Sequence, residues 1–433
     1  MTLSRRTLLA SGTALASAAA LSACSVTGAG TSTESKAPGS AAGGPVNILL
    51  MKQAGWTEDD WAGVFKKFTS ANPDITVNPT FVAYEALHDK IVTAAVAGTY
   101  DVVQLDVIWP AEFAEKKMIV DVTDRVPASW KTEMQGGALQ SALYKDKFYG
   151  APSFPSTKLF YYNKDLMAKA GVTEDDIKTW DGVMAAAKKM VSAGVVKHPL
   201  AWSWSQAEAV ICDFAQLLGA FGGTFTGSDG KLNFNDEAGV KTLQFMVDTL
   251  KDGTTNPGSP TFLEDDVAKA MQAGTTAFAL NWESTFRDLN DAKASKVVGK
   301  CGVMATPKGP SGKGPGVNGA MALSITAGAK NPDAAWKLIE FAVSKQVQDP
   351  LAASAMPDWI ASYTDPAVTK NAPEVFAACK DAYADSILRP QVVNYNKVSS
   401  ILQVEIQNAL VGKKPVKDAL DAAVSQGNQT LNG

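Results

Sequence analysis

Tryptophan residues stand beside acidic and amide residues at the ends of several predicted strands. An indole face can stack on the C–H face of a sugar ring, while carboxylates, amides and guanidinium groups bond its hydroxyls. In open α/β sheets, ligands bind beyond the carboxyl ends of the strands. Each ring taken singly could equally be core packing, but together they favour a carbohydrate site. These tryptophans are Trp56, Trp109, Trp202, Trp204 and Trp282.

Catalysis and metal binding have no supporting pattern in the chain. The two histidines, His88 and His198, lie in no HExxH or paired Cys/His spacing, and there is no GxSxG motif. Acidic runs at 174–176 and 264–266 fall at predicted helix starts, where negative charge complements the helix dipole. The Gly-rich stretch 309–319 lacks the Gly-x4-Gly-Lys-Ser/Thr spacing of a phosphate loop. We therefore predict no catalytic residue, no metal and no cofactor.

Composition places the chain among globular proteins. It has 433 residues, of which 46% are hydrophobic and 19% are charged, which excludes collagen-like, wholly disordered and polytopic membrane classes. The length suits about two or three domains at ~150 residues each. A formal charge of −4 gives no general attraction to nucleic acid.

The N-terminal residues form a targeting signal. A twin arginine at 5–6 precedes an apolar stretch at 8–23, which ends in Leu-Ser-Ala before Cys24. This order resembles a lipobox, so we predict a signal peptide over 1–23 and lipidation of Cys24. The twin arginine resembles a Tat signal, although Sec export stays open. Residues 24–45 are small and polar, which predicts a flexible tether.

Three further cysteines fall in the folded body, namely Cys212, Cys301 and Cys379. In an exported protein two of them could form a disulfide, and the sequence leaves the pair open. There is no CxxC motif, so a redox function has no support.

Strand-like and helix-like segments alternate along the body. Strands are predicted over 46–51, 75–77 and 101–105, and an apolar stripe after Thr57 predicts a helix between the first two. The stripe consists of Trp61, Val64, Phe65 and Phe68. Strand, helix and strand in this order predict βαβ units, largely parallel sheets and an α/β fold.

Several motifs occur in a fixed order along nearly the whole body. They lie at residues 94–103, 105–114, 161–166, 271–277 with Asn281-Trp282, 331–336, and Arg389-Pro390 with Tyr395. In this order they resemble the family of extracellular solute-binding lipoproteins of ATP-binding-cassette sugar importers. The segment 105–114 is similar to the trehalose/maltose-binding branch in particular.

This resemblance implies a two-lobe α/β fold of the type II periplasmic-binding-protein kind, with hinge crossovers and a central ligand cleft. It implies that 46–154 plus 320–361 form the first lobe, and that 155–319 plus 362–433 form the second.

The resemblance also implies roles for individual residues. Asp106 and Trp109 would face the sugar from the first lobe, and Glu208, Trp282 and Arg389 from the second. In these roles the two carboxylates accept hydroxyl protons, Arg389 donates hydrogen bonds and Trp282 stacks on the ring. The remaining candidates are Trp56, Trp202, Trp204 and Tyr395.

One departure from the family pattern concerns the loop before the Tyr161-Tyr162-Asn163 strand. Related maltose or trehalose binders tend to carry a carboxylate there, whereas residues 153–158 contain none. Either a ligand hydroxyl would meet Ser156 or Thr157 instead, or the pose of the ligand differs at this point. The departure leaves the identity of the sugar open.

The function implied is capture of a di- or oligosaccharide, of the maltose or trehalose type, and its delivery to membrane permease subunits. We expect a monomer, held by its lipid at the outer face of the cytoplasmic membrane and without nucleic-acid partners. Two alternatives are a binding protein for another solute, such as a polyamine, and a secreted glycoside hydrolase.

Overall fold

A computed structural model describes residues 43–52, 55–370 and 372–431. The predicted signal peptide (1–23), Cys24 and most of the predicted tether (24–45) lie outside the described residues. Within the described part, every helix is too short or too polar to cross a lipid bilayer.

The described residues form two main sheets with helices packed against them. The strands are β1 (Gly44–Met51), β2 (Ile75–Val82), β3 (Val102–Asp106), β4 (Leu143–Tyr144), β5 (Lys147–Phe148), β6 (Ala151–Phe154), β7 (Lys158–Asn163), β8 (Leu200–Ala201), β9 (Phe278–Trp282), β10 (Cys301–Met304) and β11 (Met321–Ile325). The α-helices are α1 (Glu58–Ala71), α2 (Tyr84–Ala97), α3 (Pro110–Glu115), α4 (Trp130–Glu133), α5 (Gly136–Leu139), α6 (Lys164–Lys169), α7 (Trp180–Ser192), α8 (Glu208–Ala220), α9 (Glu237–Lys251), α10 (Glu264–Gln272), α11 (Thr285–Leu289), α12 (Pro332–Ala342), α13 (Lys345–Gln348), α14 (Pro366–Thr369), α15 (Pro373–Ala384), α16 (Tyr395–Leu410) and α17 (Val416–Leu431).

Helix α1 forms because its own sequence supplies both an N-terminal cap and an apolar face that can be buried. The Thr57 Oγ1 accepts a hydrogen bond from the N–H of Asp60 at 3.1 Å, and the Asp60 carboxylate accepts one from the N–H of Thr57 at 2.9 Å. This reciprocal cap satisfies two otherwise orphaned donors. The predicted stripe is buried and packs with the strands of the first sheet, which confirms the predicted helix.

A five-stranded sheet, in the order β2-β1-β3-β11-β6, forms one half of the molecule. Strand β1 pairs in parallel with β2 and β3, as the βαβ pattern predicts. Strand β11 runs antiparallel to both β3 and β6, so the expectation of a largely parallel sheet is wrong here. The reason is connectivity, because β6 is the last strand before the chain passes to the other sheet and β11 is the first after its return.

A four-stranded sheet, in the order β10-β7-β9-β8, forms the other half. Strand β7 is antiparallel to both neighbours, and β8 is parallel to β9. We call β1–β3, β6, β11, α1–α5 and α12 the first lobe, and β7–β10, α6–α11 and α15–α17 the second lobe. Each sheet carries its own buried hydrophobic core.

Two connections pass between the lobes side by side. Residues 155–157 join β6 to β7, and residues 305–320 join β10 to β11. The N–H of Gly319 donates to the carbonyl of Ser156 at 2.9 Å, which bonds the two connections to each other. We call these two connections the hinge ribbon.

The three cysteines of the described body are separate thiols. Cys212, Cys301 and Cys379 are all buried and none is paired with another. Burial raises the pKa of the Cys301 thiol to about 11, so this sulfur stays protonated and unreactive near neutral pH.

Candidate functional site

A cleft lies between the two lobes and is lined by residues from both. Counted out to its solvent-open mouth, the free space between the lobes is about 980 Å³. Met321 of β11 and Asp106 of β3 line it from the first lobe, while Asn281 and Trp282 of β9 line it from the second. Asp106 and Trp282 end their strands, and Met321 begins β11 directly opposite Asp106. The cleft thus lies at the carboxyl ends of β3 and β9, as expected for a ligand crevice in an α/β fold.

Three charged residues join the lobes inside this cleft. The guanidinium of Arg389, in the loop between α15 and α16, lies 2.8 Å from Asp106 and 2.7 Å from Glu208. Glu208 is the first residue of α8, where a negative charge complements the helix dipole. We call Asp106, Glu208 and Arg389 the charged triad. Its guanidinium is 1% exposed, so the pairing is made away from bulk water.

Hydroxyl groups complete the coordination of the triad carboxylates. Tyr84 donates to Asp106 at 2.7 Å, while Tyr395 and Ser399 donate to Glu208 at 2.5 and 2.6 Å. Burial raises the pKa of Glu208, and the nearby Arg389 and the two hydroxyls only partly offset this effect. Each triad carboxylate therefore has hydroxyl partners as well as the guanidinium.

Trp282 presents an oriented indole to the cleft. Its side chain is partly exposed and its Nε1–H donates to the Glu264 carboxylate at 3.3 Å. The Lys158 ammonium lies 5.3 Å from the ring centroid, within cation–π range. A Cβ on Gly319 would stand only 2.4 Å from the ring, so the glycine lets the hinge ribbon approach the indole closely.

A buried ion pair supports this indole from beneath. Lys158 and Asp213 are both fully buried and lie 2.8 Å apart, and Ser203 accepts from the same ammonium at 2.8 Å. Glu264 lies 3.3 Å from that ammonium. Burial lowers the pKa of Lys158, but Asp213 and Glu264 outweigh it and hold the pKa above the usual value. This pair is not among the predicted site residues, and its signal in the sequence is a charged side chain inside each of two largely apolar segments.

The loop before β7 obtains a carboxylate from the neighbouring strand. Ser156 lines the cleft, and its Oγ donates to Glu283 at 2.9 Å. The N–H of Thr157 donates to the same oxygen at 3.1 Å. Burial raises the pKa of Glu283 to about 7. The acid that the loop sequence lacks is thus supplied by the residue after Trp282.

The structure brings four of the predicted site residues together in the cleft, namely Asp106, Glu208, Trp282 and Arg389. It places the other predicted aromatic residues elsewhere, because their rings pack against other side chains. Trp56 packs edge-on against Trp61 at 4.8 Å, and Trp202 stacks on Trp204 at 4.9 Å in the core of the second lobe.

Trp109 and Tyr395 are also buried and do not line the cleft. Trp109 stacks on Tyr84 at 5.7 Å, and its Nε1–H donates to Asn396 of α16 at 3.1 Å. Trp109 therefore bonds the first lobe to the second. Tyr395 acts on the cleft through Glu208, to which it donates.

Several polar residues that line the cleft are not among the predicted site residues. The run Glu264-Asp265 has the pattern of a helix start, and α10 does begin at Glu264. It also faces the cleft, and its proximity to Trp282 comes from the pairing of distant segments. The other missed polar residues are Tyr84, Glu85, Asn281, Ser284, Thr285, Arg287 and Asp288.

The cleft offers hydrogen bonds and an aromatic face, and its lining includes neither histidine. Among the described residues, no group of His, Cys, Asp and Glu could hold a metal ion. The arrangement suits reversible binding of a polar ligand.

Comparisons with known proteins agree with this geometry. The family model for bacterial extracellular solute-binding proteins matches residues 54–349. A probable ABC transporter-binding protein of Deinococcus radiodurans is 28% identical over 343 residues, which cover 77% of this chain and 80% of that protein.

Two solved structures share the fold over nearly their whole length. Maltose-bound MalE3 of T. maritima is 30% identical with a TM-score of 0.83, covering 89% of this chain and 100% of that one. A solute-binding protein of Thermotoga lettingae bound with alpha-D-tagatose is 25% identical with a TM-score of 0.79, covering 89% of this chain and 99% of that one. The predicted two-lobe fold is confirmed.

The family match extends over more than half of the chain, and the resemblance found in the sequence is confirmed. The chain belongs to the bacterial extracellular solute-binding proteins, and so it is a binding component of ATP-binding-cassette import that acts outside the cytoplasm, and not the glycoside hydrolase considered above.

Proposed function

We propose that this protein captures a di- or oligosaccharide of the maltose or trehalose type and delivers it to the permease subunits of an importer. The observation that carries the proposal is the indole of Trp282, which faces a cleft lined with carboxylates and hydroxyls. A sugar ring needs this combination of an apolar face and hydroxyl partners. The maltose in the T. maritima relative, at 30% identity, supports the ligand class.

Closure of the two lobes over the sugar would present a single surface to the permease. Contacts that exist only when the lobes meet supply the free energy of closure. Arg389 with Asp106, and Trp109 with Asn396, are contacts of this kind. A disaccharide of ~23 heavy atoms at ~0.3 kcal/mol each binds with about 7 kcal/mol, which is a low-micromolar dissociation constant.

The lobes of the proposed binding protein comprise 46–154 plus 320–361, and 155–319 plus 362–433. The strand content of the two sheets supports this division. Strands β1, β2, β3, β6 and β11 fall in the first set of ranges, and β7 to β10 fall in the second. We propose that the protein works as a monomer.

We also propose that the mature chain begins at Cys24, whose lipid anchors the protein to the outer face of the cytoplasmic membrane. The twin arginine, the apolar stretch and the small residues before the cysteine support this processing and export by the Tat route. Metabolic labelling with a fatty-acid analogue tests it. Label in the wild-type protein that Cys24→Ala abolishes is the expected result.

A thermal-shift screen followed by calorimetry tests the ligand class. The panel contains maltose, trehalose, longer α-glucosides, amino acids and polyamines. A ligand that binds the folded state stabilises it by about 2.7 kcal/mol at a concentration one hundred times its dissociation constant. We expect the disaccharides to raise the melting temperature and to be recovered unaltered. A response to a polyamine or an amino acid alone would overturn the sugar proposal in favour of another solute.

A further inference from the structure

The lining of the cleft carries an excess of negative charge. Six carboxylates face it but only two guanidinium groups do. The carboxylates belong to Glu85, Asp106, Glu208, Glu264, Asp265 and Asp288, and the guanidinium groups to Arg287 and Arg389. The hydroxyls of a neutral sugar can donate hydrogen bonds to these carboxylates, but they bring no positive charge to offset the negative charge.

The protein's own cations do not neutralise this excess. Arg389 is shared between Asp106 and Glu208. Lys158, which is buried beneath the Trp282 ring, is shared in the same way between Asp213 and Glu264. Each of these two groups therefore has two acidic side chains for one basic side chain.

Asp265 adds a further charge on the same wall. It is the second residue of α10, lines the cleft and makes no ion pair with a lysine or arginine among the described residues. Desolvation by the surrounding protein holds the pKa of Asp265 above its usual range, Lys269 partly offsets this effect, and the carboxylates of Glu264, Asp266 and Asp288 reinforce it. A cation placed against Asp265 would relieve this repulsion.

The cleft also contains a buried hydrogen-bond donor that lacks an acceptor among the described residues. Arg389 lines it and is 1% exposed, yet its Nε–H has no hydrogen-bond partner among the described residues. A buried donor without a partner is costly. A hydroxyl or ring oxygen of a ligand could satisfy it, whereas a simple polyamine has no oxygen to offer.

We infer that the preferred ligand is a saccharide that carries a protonated amino group, with its ammonium against Asp265 and Glu264 and its ring near Trp282. This inference rests on the sugar-binding function proposed above and narrows it. The carboxylates on one wall bind the ammonium, and the indole beside them binds the ring. The oxygens of the ligand can then accept hydrogen bonds from the donors of the cleft.

Calorimetry with matched sugars tests the inference. The probes are trehalose, 2-amino-2-deoxytrehalose and its N-acetyl derivative, with the same series on a maltose scaffold and with spermidine. We expect the free amine to bind about tenfold more tightly than both neutral sugars, since one added hydrogen bond between charged groups is worth about that factor. The preference should shrink between about 50 mM and 500 mM salt.

Neutral disaccharides that bind as tightly as their amines would overturn this inference and leave the proposed function standing. Binding of spermidine in place of every saccharide would overturn both.

A pair of variants tests whether Asp265 is the carboxylate that binds the ammonium of the ligand. Asp265→Asn should lower the ratio of amine to neutral affinity to about threefold or less, because only Glu264, which is shared with Lys158, then remains against the ammonium. Asp59→Asn is the matched control, since Asp59 is exposed and holds the same second position in α1, which also begins Glu-Asp-Asp. An unchanged tenfold ratio in Asp265→Asn, with the thermal unfolding of both variants intact, would overturn the inference.

Discussion

At the scale of single residues, Trp282 is the side chain through which the cleft should recognise a sugar ring. Trp282→Ala removes the aromatic face and costs less packing than the loss of a fully buried ring, because the indole is only partly buried, at the edge of the second core. We expect affinity for the cognate sugar to fall by about 1–3 kcal/mol, measured by calorimetry, with little change in melting temperature. Trp202→Ala is the contrasting control, since its buried ring should cost about 3–5 kcal/mol of stability. Unchanged sugar affinity in Trp282→Ala would remove the indole from the site.

Glu283, the residue after Trp282, should make the stability of the protein depend on pH. Burial raises the pKa of Glu283 to about 7 from an ordinary 4.5, so the folded protein holds this proton more tightly than the unfolded chain does. The stabilisation is complete below about pH 4 and is lost as the pH rises through about 7. Between pH 5 and 8 the free energy of unfolding should fall by on the order of 2 kcal/mol more in the wild type than in Glu283→Gln.

Urea unfolding at the two pH values measures this difference. Glu374→Gln, which changes an exposed glutamate of α15, should behave as the wild type does. Equal pH dependence in wild type and Glu283→Gln would show that the carboxyl is ionised in the fold throughout.

The residues of the site differ in how far the sequence could identify them. Asp106, Glu208 and Arg389 were reached through the family resemblance, and the structure brings them together. Trp202 and Trp204 stand at a strand end, but strand-end position does not tell which way a ring points, and here the rings turn inward and stack on each other. The Lys158–Asp213 pair joins residues 55 positions apart, a distance that local patterns do not reach.

At the scale of elements, the hinge ribbon is also a wall of the binding site. Gly319 lies on the connection into β11, and Gly319→Ala would place its Cβ 2.4 Å from the Trp282 ring. The ring must turn away, so we expect sugar affinity to fall about tenfold or more, the cost of a misplaced contact. Gly136→Ala is the control, because nothing lies near its Cβ. Sugar titration of both variants measures the effect, and equal affinities would mean that the indole is free to move.

The sequence predicts an element correctly when the cap and the buried face of that element lie within its own residues. Helix α1 carries its cap and its buried stripe within fifteen residues, so the sequence alone suffices for it. The antiparallel pairing of β6 with β11 depends instead on the chain passing to the other sheet after β6 and returning before β11. No local sequence pattern indicates this crossing.

At the scale of the whole molecule, the bond between Trp109 and Asn396 should control how long the lobes stay closed. The Trp109 Nε1–H donates to Asn396 of α16 at 3.1 Å, and neither side chain lines the cleft. Asn396→Ala removes about 1 kcal/mol of contact between the lobes, so we expect the ligand to dissociate about fivefold faster. Stopped-flow fluorescence measures this rate. Ser400→Ala, one turn later on the same helix, should leave it unchanged, and a wild-type rate in Asn396→Ala would contradict the prediction.

The bonding within the hinge ribbon limits how the protein can open. Residues 155–157 and 305–320 are joined by the bond from Gly319 to Ser156, and Ile387 is bonded alongside to Gly316 and Asn318 at 2.8 Å. Neighbouring chains bonded in this way can flex together, but they cannot slide past one another without losing these bonds. The lobes should therefore move mainly by rotation about the hinge ribbon, so that permease and ligand alike would encounter two halves that tilt rather than shear.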